Sequence, residues 1–474
     1  MSRQLPAELA ERLRRQLGED GFGAFLACLE EEPKHGLRLN TGKGNVAEVA
    51  AMLDFPMTPI PWAAWGFGFA GGERPGKSPF YQAGLLYLQE PSAMAPAEAL
   101  GVKPGERVLD LCAAPGGKST QIATALAGEG VLVANDSSPK RVKPLVWNLE
   151  HWGARNAIVL NEEPHRLSPV FAGYFHKILV DAPCSGEGML RKEPKAIRSW
   201  SKYGGQACRA MQDALLDQAA LMLAEGGRLV YSTCTFNPQE NEEAVAAFLD
   251  RHAGFRLLQP RLHEGWKEGG MLRECRQLWP HIGYGEGQFF AVMEKTAGTK
   301  GMMRNDVSRL KTGRAGADFG EEGSGNASKG DSNRKAGCAE LASFLSFMEE
   351  NLCYPLRGPF AVFGGHVYQI PEGLPDLGGL VVSRPGWHLG TIKNDRFRPS
   401  QPFAMGLQAD QMKHRLDLEP MEENTQRYLR GETLMVGGEK GLTLVTLKGF
   451  PLGFGRQTGA YLKNDYAVGW RQEA

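Results

Sequence analysis

The chain has 474 residues, of which 42% are hydrophobic and 23% are charged, which is typical of a globular protein too long for one ordinary domain. Lysine plus arginine and aspartate plus glutamate each number 54, so net charge alone does not indicate a nucleic-acid partner. No apolar run approaches the roughly 20 residues that span a bilayer. The charged N-terminus and eight cysteines without CxxC spacing lead us to expect a cytoplasmic protein with reduced thiols.

The first 84 residues predict an N-terminal α+β extension. They begin with an amphipathic helical pattern and become rich in Gly, Pro and Trp between Phe55 and Pro79. A short strand is predicted over residues 35–41, and it carries Arg38 and Asn40.

Residues 85–295 alternate strand and helix signals. Strands are predicted at Arg107–Leu111, Val131–Asn135, Ala157–Leu160, Lys177–Asp181, Arg228–Ser232 and Gln288–Met293. Helices are predicted at Lys118–Leu126, Pro139–His151, Gln206–Ala224 and Glu240–His252. This alternation predicts an α/β fold with a parallel, doubly wound sheet covered by helices on both faces.

The composition changes after residue 295. Gly, Ser, Asn, Asp and Lys dominate residues 296–337, which predicts a flexible linker. Residues 338–474 return to a folded composition, and we expect a compact α+β domain there. Because a linker of this composition carries little packing, we expect the segment 85–295 to fold without the residues that follow it.

A loop of small residues follows the first strand of the α/β segment. It consists of Cys112, Ala113, Ala114, Pro115, Gly116, Gly117 and Lys118. Small residues let a ligand approach the backbone, and the following helix offers free N–H groups to a carboxylate. Asp136, 20 residues after Gly116, ends the second strand and is placed to accept hydrogen bonds from a ribose. The loop lacks the GxGxxG and Walker patterns, which disfavours a dinucleotide or ATP as its ligand. The alternative to a ligand-binding loop is a tight turn that binds nothing.

Two cysteines follow two later strands. One strand ends in Asp181-Ala-Pro-Cys184 and the next ends in Ser-Thr-Cys234. Ligands bind outside the carboxyl ends of such strands, so we expect Asp181, Cys184 and Cys234 in one cleft. Methylation at C5 of cytosine requires a thiolate that adds to C6, and Asp181 is suited to the N3 edge of that base. Ordinary buried thiols and a redox pair are the alternatives; a metal site lacks enough ligands.

Three ordered motifs together resemble the Sun/nucleolar-protein family of RNA cytosine-5 methyltransferases. They are Cys112-Ala-Ala-Pro-Gly-Gly-Lys118, Asp181-Ala-Pro-Cys-Ser-Gly186, and Ser232-Thr-Cys-Thr235 followed by Asn237-Pro-Gln-Glu-Asn241. The resemblance runs from about Arg38 to Lys295. The length, the linker and the segment Arg427–Glu432 look most like the bacterial RsmF-type enzymes of small-subunit rRNA, whose C-terminal part resembles a PUA-type RNA-binding domain.

The resemblance implies a Rossmann-like class I methyltransferase domain and the cofactor S-adenosylmethionine. Residues 112–118, Asp136 and Asp181 would line the cofactor pocket, Cys234 would be the nucleophile, and Cys184 would assist product release. The implied partner is RNA, namely 16S rRNA or the small ribosomal subunit, and we expect a monomer without metal or membrane contact. Where many members carry an Asp after the third strand, this chain has Asn161-Glu162-Glu163, so the acid near the adenine stays open.

Candidate RNA surfaces are the stretch Trp62–Lys77 and the run Lys393–Arg398, since aromatic and cationic side chains recognise single-stranded bases and phosphates. Several other functions remain open. A tRNA methyltransferase would use the same chemistry, whereas a DNA cytosine-5 methyltransferase would use Cys184 as nucleophile. A non-catalytic RNA-binding assembly factor would need neither cysteine, and a small-molecule methyltransferase would explain neither terminal segment.

Overall fold

The computed structural model describes residues 5–192, 200, 205–296 and 338–472. The N-terminal region begins with the helix Ala7–Leu29, and shorter helices follow at Val46–Ala51 and Pro79–Gln82. Four short strands form an antiparallel sheet of order β2-β3-β1-β4: β1 His35–Leu39, β2 Thr58–Pro59, β3 Gly66–Phe69 and β4 Leu86–Leu88. The predicted strand at residues 35–41 is therefore present as β1.

A mixed sheet lies at the centre of the molecule. Its strands from the α/β segment are β5 Arg107–Asp110, β6 Val131–Asn135, β7 Ala157–Leu160, β8 Phe175–Asp181, β9 Leu223–Thr233, β10 Phe255–Leu258, β11 Trp266–Glu268, β12 Arg276–Leu278 and β13 Gln288–Lys295. The helices between them are Ala95–Leu100, Gly117–Ala125, Pro139–Trp152, Pro164–Leu167, Gly205–Met222 and Glu242–Arg251. Strands β5 to β9 run parallel in the order β9-β8-β5-β6-β7, while β13 is antiparallel to β9.

The predicted Rossmann-like α/β class is confirmed, and all six predicted strands are present. The parallel arrangement holds for β5 to β9 only, because β13 follows antiparallel strands rather than a crossover helix. Alternate residues of the strands enter two apolar cores, with Val108 on one face of the sheet and Leu109 on the other. Both faces are buried, which explains the nearly continuous apolar runs in the sequence.

The C-terminal region contains two further sheets. The helix Cys338–Asn351 packs on the first, of order β14-β15-β17-β18: β14 Phe360–Phe363, β15 His366–Gln369, β17 Trp387–Lys393 and β18 Arg396–Pro399. The helices Gln401–Gly406 and Glu423–Leu429 accompany the second, of order β19-β20-β21-β22: β19 Arg415–Leu418, β20 Gly441–Leu447, β21 Phe450–Gln457 and β22 Leu462–Asn464. This last sheet shares one apolar core with the N-terminal region, in which Leu37 and Phe80 lie with Tyr428 and Val445.

One C-terminal strand extends the central sheet. β16, residues Val382–Arg384, pairs antiparallel with β7. The buried Arg384 donates to the carbonyls of Ala154 and Ala157 at 2.7 and 3.1 Å. The expectation that little packing crosses the linker is therefore wrong, because residues beyond it cover the edge of the central sheet. That residues 85–295 fold without the tail stays a prediction. Within the described residues, no helix is long and apolar enough to cross a membrane.

Candidate active site

The loop of small residues connects β5 to the helix Gly117–Ala125 and borders a cavity of about 200 Å³. Six loop residues line the cavity: Cys112, Ala113, Ala114, Pro115, Gly117 and Lys118. Gly116 lies behind it with φ +116°, where a side chain would be strained, and a Cβ would come within 3.2 Å of Leu145 Cδ1. Glycine is thus required at this turn for steric reasons.

Asp110, the last residue of β5, also lines the cavity and was not among the residues predicted from the sequence. Its Oδ2 accepts a hydrogen bond from Ser119 Oγ at 2.6 Å, whereas its buried Oδ1 has no partner in the described part of the chain. Burial raises the pKa of this carboxyl to about 7. An unpartnered carboxylate oxygen at the cavity fits the ammonium group of S-adenosylmethionine, so the lining suits that cofactor.

Asp136 supports the loop from behind and does not line the cavity. Its Oδ2 accepts from the Ala114 N–H at 3.3 Å and lies 3.4 Å from the Arg141 guanidinium, while Oδ1 accepts from the Ser138 N–H at 3.0 Å. Asn148 Nδ2 adds a hydrogen bond to the Pro115 carbonyl at 2.7 Å. The carboxylate therefore fixes the loop conformation in addition to any contact with a ribose.

The N-terminal region forms the opposite wall of the cavity, with Tyr87, Leu88, Gln89, Glu90 and Ala93. Arg38 of β1 ties this wall to the loop. It donates to Gln89 Oε1 at 2.6 Å and to the Gly117 carbonyl and Thr120 Oγ1 at 2.7 and 2.6 Å. Burial lowers the pKa of its guanidinium to about 10, a cost that these hydrogen bonds offset. The N-terminal region is thus tied to the loop that lines the cavity.

The two predicted cysteines meet at the carboxyl ends of β8 and β9. Their sulfur atoms lie 3.3 Å apart, and each cysteine is half-buried. The hydrogen bond to Cys234 and burial raise the pKa of the Cys184 thiol well above its ordinary value. Cys184 is consequently held as a thiol whose S–H can donate to the Cys234 sulfur.

Asp181 connects the cysteine cleft to the cofactor loop. Its Oδ2 accepts from Lys118 Nζ at 2.7 Å, and its Oδ1 accepts from Ser232 Oγ at 2.7 Å. Burial disfavours the charge on Lys118, but the Asp181 carboxylate outweighs this and raises the pKa of the ammonium, with a smaller contribution from a Cys234 thiolate. A fixed ion pair thus lies close to Cys234.

Glu240, which belongs to the Asn237–Asn241 motif, joins the two cysteine loops. Its fully buried carboxylate accepts from the N–H and hydroxyl of Ser185 at 3.0 and 2.6 Å. It also accepts from Gln212 Nε2 and Asn237 Nδ2, both at 3.1 Å. The sequence pattern contains this glutamate but does not indicate its role.

A second contact tightens the turn after Cys184. The Gly188 N–H donates to the Cys234 carbonyl at 2.7 Å, and a Cβ on Gly188 would come within 3.0 Å of that oxygen. The neighbouring Glu187 accepts from the Phe236 N–H at 3.1 Å and pairs with Arg12 of the N-terminal helix. Backbone and carboxylate contacts therefore set the separation of the two cysteines.

Glu162 and Glu163 are the two candidates for the acid near the adenine, and they differ in burial and contacts. Glu162 is buried, accepts from the Val381 N–H at 2.7 Å and lies 3.0 Å from the Arg166 guanidinium. Glu163 is exposed. Glu162 thus holds the C-terminal segment beside β7, and neither glutamate lines the cavity. In the described ranges, no group of three His, Cys, Asp or Glu residues could hold a metal ion.

A doubly wound sheet with a small-residue loop after its first parallel strand is the arrangement of class I methyltransferases that use S-adenosylmethionine. Family models match four consecutive parts of the chain. The RsmF N-terminal domain matches residues 5–91, the 16S rRNA methyltransferase RsmB/F model residues 97–294, the first RsmF C-terminal domain residues 346–407, and the RsmF PUA domain residues 415–472.

Relatives named ribosomal RNA small subunit methyltransferase F align with the chain. The protein from Escherichia fergusonii is 32% identical over 94% of this chain and 92% of its own length. The alignment with the Erwinia tasmaniensis protein has 34% identity over 62% of this chain and spans 64% of that protein, slightly less than two thirds. The chain therefore belongs to the RsmF family of S-adenosylmethionine-dependent 16S rRNA methyltransferases.

Solved structures agree with this fold. A methyltransferase homologue from Pyrococcus horikoshii is 29% identical, with a TM-score of 0.53 over 61% of this chain and 100% of that chain. NSun6 from the same organism, solved with SFG, is 21% identical, with a TM-score of 0.56 over 62% of this chain and 99% of that chain. At that identity the second similarity establishes the fold alone.

Proposed function

We propose that this protein transfers a methyl group from S-adenosylmethionine to C5 of a cytosine in 16S rRNA. The observation that carries this proposal is the pair of sulfur atoms of Cys184 and Cys234, 3.3 Å apart beside the Lys118–Asp181 ion pair at the mouth of the cofactor cavity. Membership of the RsmF family supports RNA as the substrate class.

Cys234 is the nucleophile in this proposal. Its thiolate forms a bond to C6 of the cytosine, and the electron pair of the C5–C6 double bond makes C5 nucleophilic. S-adenosylmethionine, when bound, supplies the methyl group as an electrophilic sulfonium. Asp181 has a third of its side chain exposed to the cleft and can accept a hydrogen bond from the N4 amino group of the base.

Cys184 assists product release. The C5 proton leaves to a base, the C5–C6 double bond forms again, and the bond between C6 and the Cys234 sulfur breaks. Negative charge then returns to that sulfur. Because its raised pKa keeps Cys184 protonated, its S–H can stabilise the departing thiolate at the observed 3.3 Å separation.

The cofactor contacts belong to the same proposal. Residues 112–118 and Asp181 would hold the amino-acid part of S-adenosylmethionine, and Asp110 would accept from its ammonium group. Asp136 holds the loop and, at the end of β6, would also serve the ribose. The same proposal includes a monomer in the cytoplasm, and the free cysteines of the described residues fit a reducing compartment.

Three other assignments predict different results. A tRNA cytosine-5 methyltransferase would use the same residues on another RNA, so comparing tRNA with small-subunit rRNA as substrates separates the two. A DNA-type enzyme would use Cys184 as nucleophile. A non-catalytic assembly factor would bind RNA without transferring any methyl group.

The test is a denaturing gel with two variants, S-adenosylmethionine and small-subunit rRNA. Cys234→Ala should form no covalent protein–RNA adduct and no 5-methylcytosine. Cys184→Ala should attack the base and accumulate the adduct. An adduct retained by Cys234→Ala and lost from Cys184→Ala would reverse the two roles, and loss from both would argue against covalent catalysis. Cys353→Ala, at an exposed cysteine of the C-terminal region, is the matched control.

A further inference from the structure

The sheet formed by β14, β15, β17 and β18 has one face in an apolar core, and its other face is partly exposed. The inner face contributes Val367, Trp387 and Leu389 to an apolar core shared with Phe344 and Phe403. Alternate residues point away from that core. These outward residues, which we call the platform, are Phe363, His366, Tyr368, His388, Arg396 and Arg398.

The platform residues form ordered rows across the sheet. Phe363 pairs with His366, His366 with Thr391, and Thr391 with Arg398, so the side chains of this row lie on one face. Tyr368 and His388 form the next row, with ring centroids 4.9 Å apart. Aromatic rings thus occupy one half of the platform and guanidinium groups the other.

The rings are in contact with one another and differ in their exposure to solvent. The Tyr368 ring lies 6.1 Å from Phe363 and 6.4 Å from His366, and His366 Nδ1 lies 3.0 Å from His388 Nε2. His366 is exposed, and the other three rings are half-buried. A connected, half-exposed group of rings offers flat faces on which planar molecules can stack.

The cations beside the rings have no protein counter-charge. Arg396 and Arg398 are exposed, and neither forms an ion pair in the part of the chain that the structure describes. Glu150 is the acid that faces Tyr368, and it lies 3.6 Å from the Arg384 guanidinium, which balances its charge. The platform is therefore apolar and aromatic with a positive edge.

We propose that the platform binds a single-stranded segment of the RNA substrate, with bases stacked on Tyr368, His366 and Phe363 and phosphates on Arg396 and Arg398. The inference rests on the proposed function, since it assumes an RNA substrate. A polyanion with planar bases complements this face in both charge and shape. A protein partner would have to supply acidic groups for the two arginines, and it is treated below as an outcome of the test.

The test uses the full-length protein and a fluorescent single-stranded RNA of about 12 nucleotides, within the span of known stacking sites. Arg396→Glu/Arg398→Glu should raise the Kd about tenfold or more. The slope of log Kd against log salt concentration should fall by about 0.7 for each phosphate contact that is lost. His366→Ala and Tyr368→Ala should each raise the Kd several-fold, with Tyr368→Phe close to wild type. Lys103→Glu/Arg273→Glu, a reversal of two exposed cations of the catalytic region, controls for net charge and should change the Kd little.

Methyl transfer to small-subunit rRNA separates the two proposals. The platform variants should raise KM and keep kcat, because they leave the cleft unchanged. A wild-type protein that methylates no RNA would contradict the proposed function. A wild-type protein that methylates rRNA, with platform variants that match the control in Kd and KM, would overturn the platform alone. Normal KM on naked rRNA with loss only on assembled subunits would also overturn it, in favour of a protein partner.

Discussion

The backbone N–H of Ser185 donates to Glu240 Oε2 at 3.0 Å, and the Ser185 hydroxyl donates to Oε1 of the same carboxylate at 2.6 Å. This fork joins the residue after Cys184 to the turn that follows Cys234. Because Ser185 Oγ also lies 2.8 Å from Thr235 Oγ1, the carboxylate sets the position of both cysteine loops at once.

Glu240→Gln should weaken that positioning while keeping the shape of the side chain. Losing a charged acceptor from a buried network costs about 1–3 kcal/mol, which a protein of this size can tolerate. We expect Cys234 still to attack and the adduct to accumulate, since release requires the thiol of Cys184 at the correct distance. Glu243→Gln, at an exposed position of the following helix, is the control. Normal turnover without adduct accumulation would remove Glu240 from the positioning role.

Asp110 should make cofactor affinity depend on pH. Burial raises its pKa to about 7, so the carboxyl is protonated below pH 7 and ionised above it. A cofactor ammonium favours the ionised form, so affinity should increase about tenfold between pH 6 and pH 8. The Asp110→Asn variant should lack this increase when affinity is measured by calorimetry. The ionisation of the ligand itself affects both proteins equally and cancels in the comparison. Parallel curves for the two proteins would contradict the assignment.

Arg38→Lys should reduce cofactor affinity although the residue belongs to the N-terminal region. Lysine keeps the charge but cannot reproduce the guanidinium fork that reaches Gln89, Gly117 and Thr120 together. We expect about a tenfold weaker Kd for S-adenosylmethionine and a lower Tm. Arg15→Lys, an exposed substitution in the first helix, should change neither. An unchanged Kd would show that the extension does not shape the pocket.

Arg384→Met should destabilise the whole catalytic region. The guanidinium is buried between β16 and β7, and its removal leaves the carbonyls of Ala154 and Ala157 and the Glu150 carboxylate without their partner. Breaking a buried charge pair costs about 3–5 kcal/mol. Thermal unfolding should register this loss, whereas Arg357→Met at an exposed position should leave the Tm unchanged. Equal Tm values would mean that β16 contributes little to the sheet.

The fold of the catalytic region could be predicted from sequence because its strands are buried on both faces and end in small-residue turns. The same logic located Cys184, Cys234 and the loop 112–118. Contacts between distant segments could not be predicted. Arg38 and Gly117 are 79 residues apart in sequence, and Ser185 and Glu240 are 55 apart. No short-range sequence pattern indicates hydrogen bonds over such separations. β16 was missed for the same reason, since three residues are too short to give an alternating signal.

The pairing of β16 with β7 constrains how the protein forms on the ribosome. Val381 bonds to Glu162 across 219 residues of sequence, so β7 is an open sheet edge until translation has passed that point. At about 5–20 residues per second, the edge is uncovered for roughly 10 to 45 seconds. An unpaired edge strand is a site of aggregation, so the nascent catalytic region should depend on chaperones during this interval.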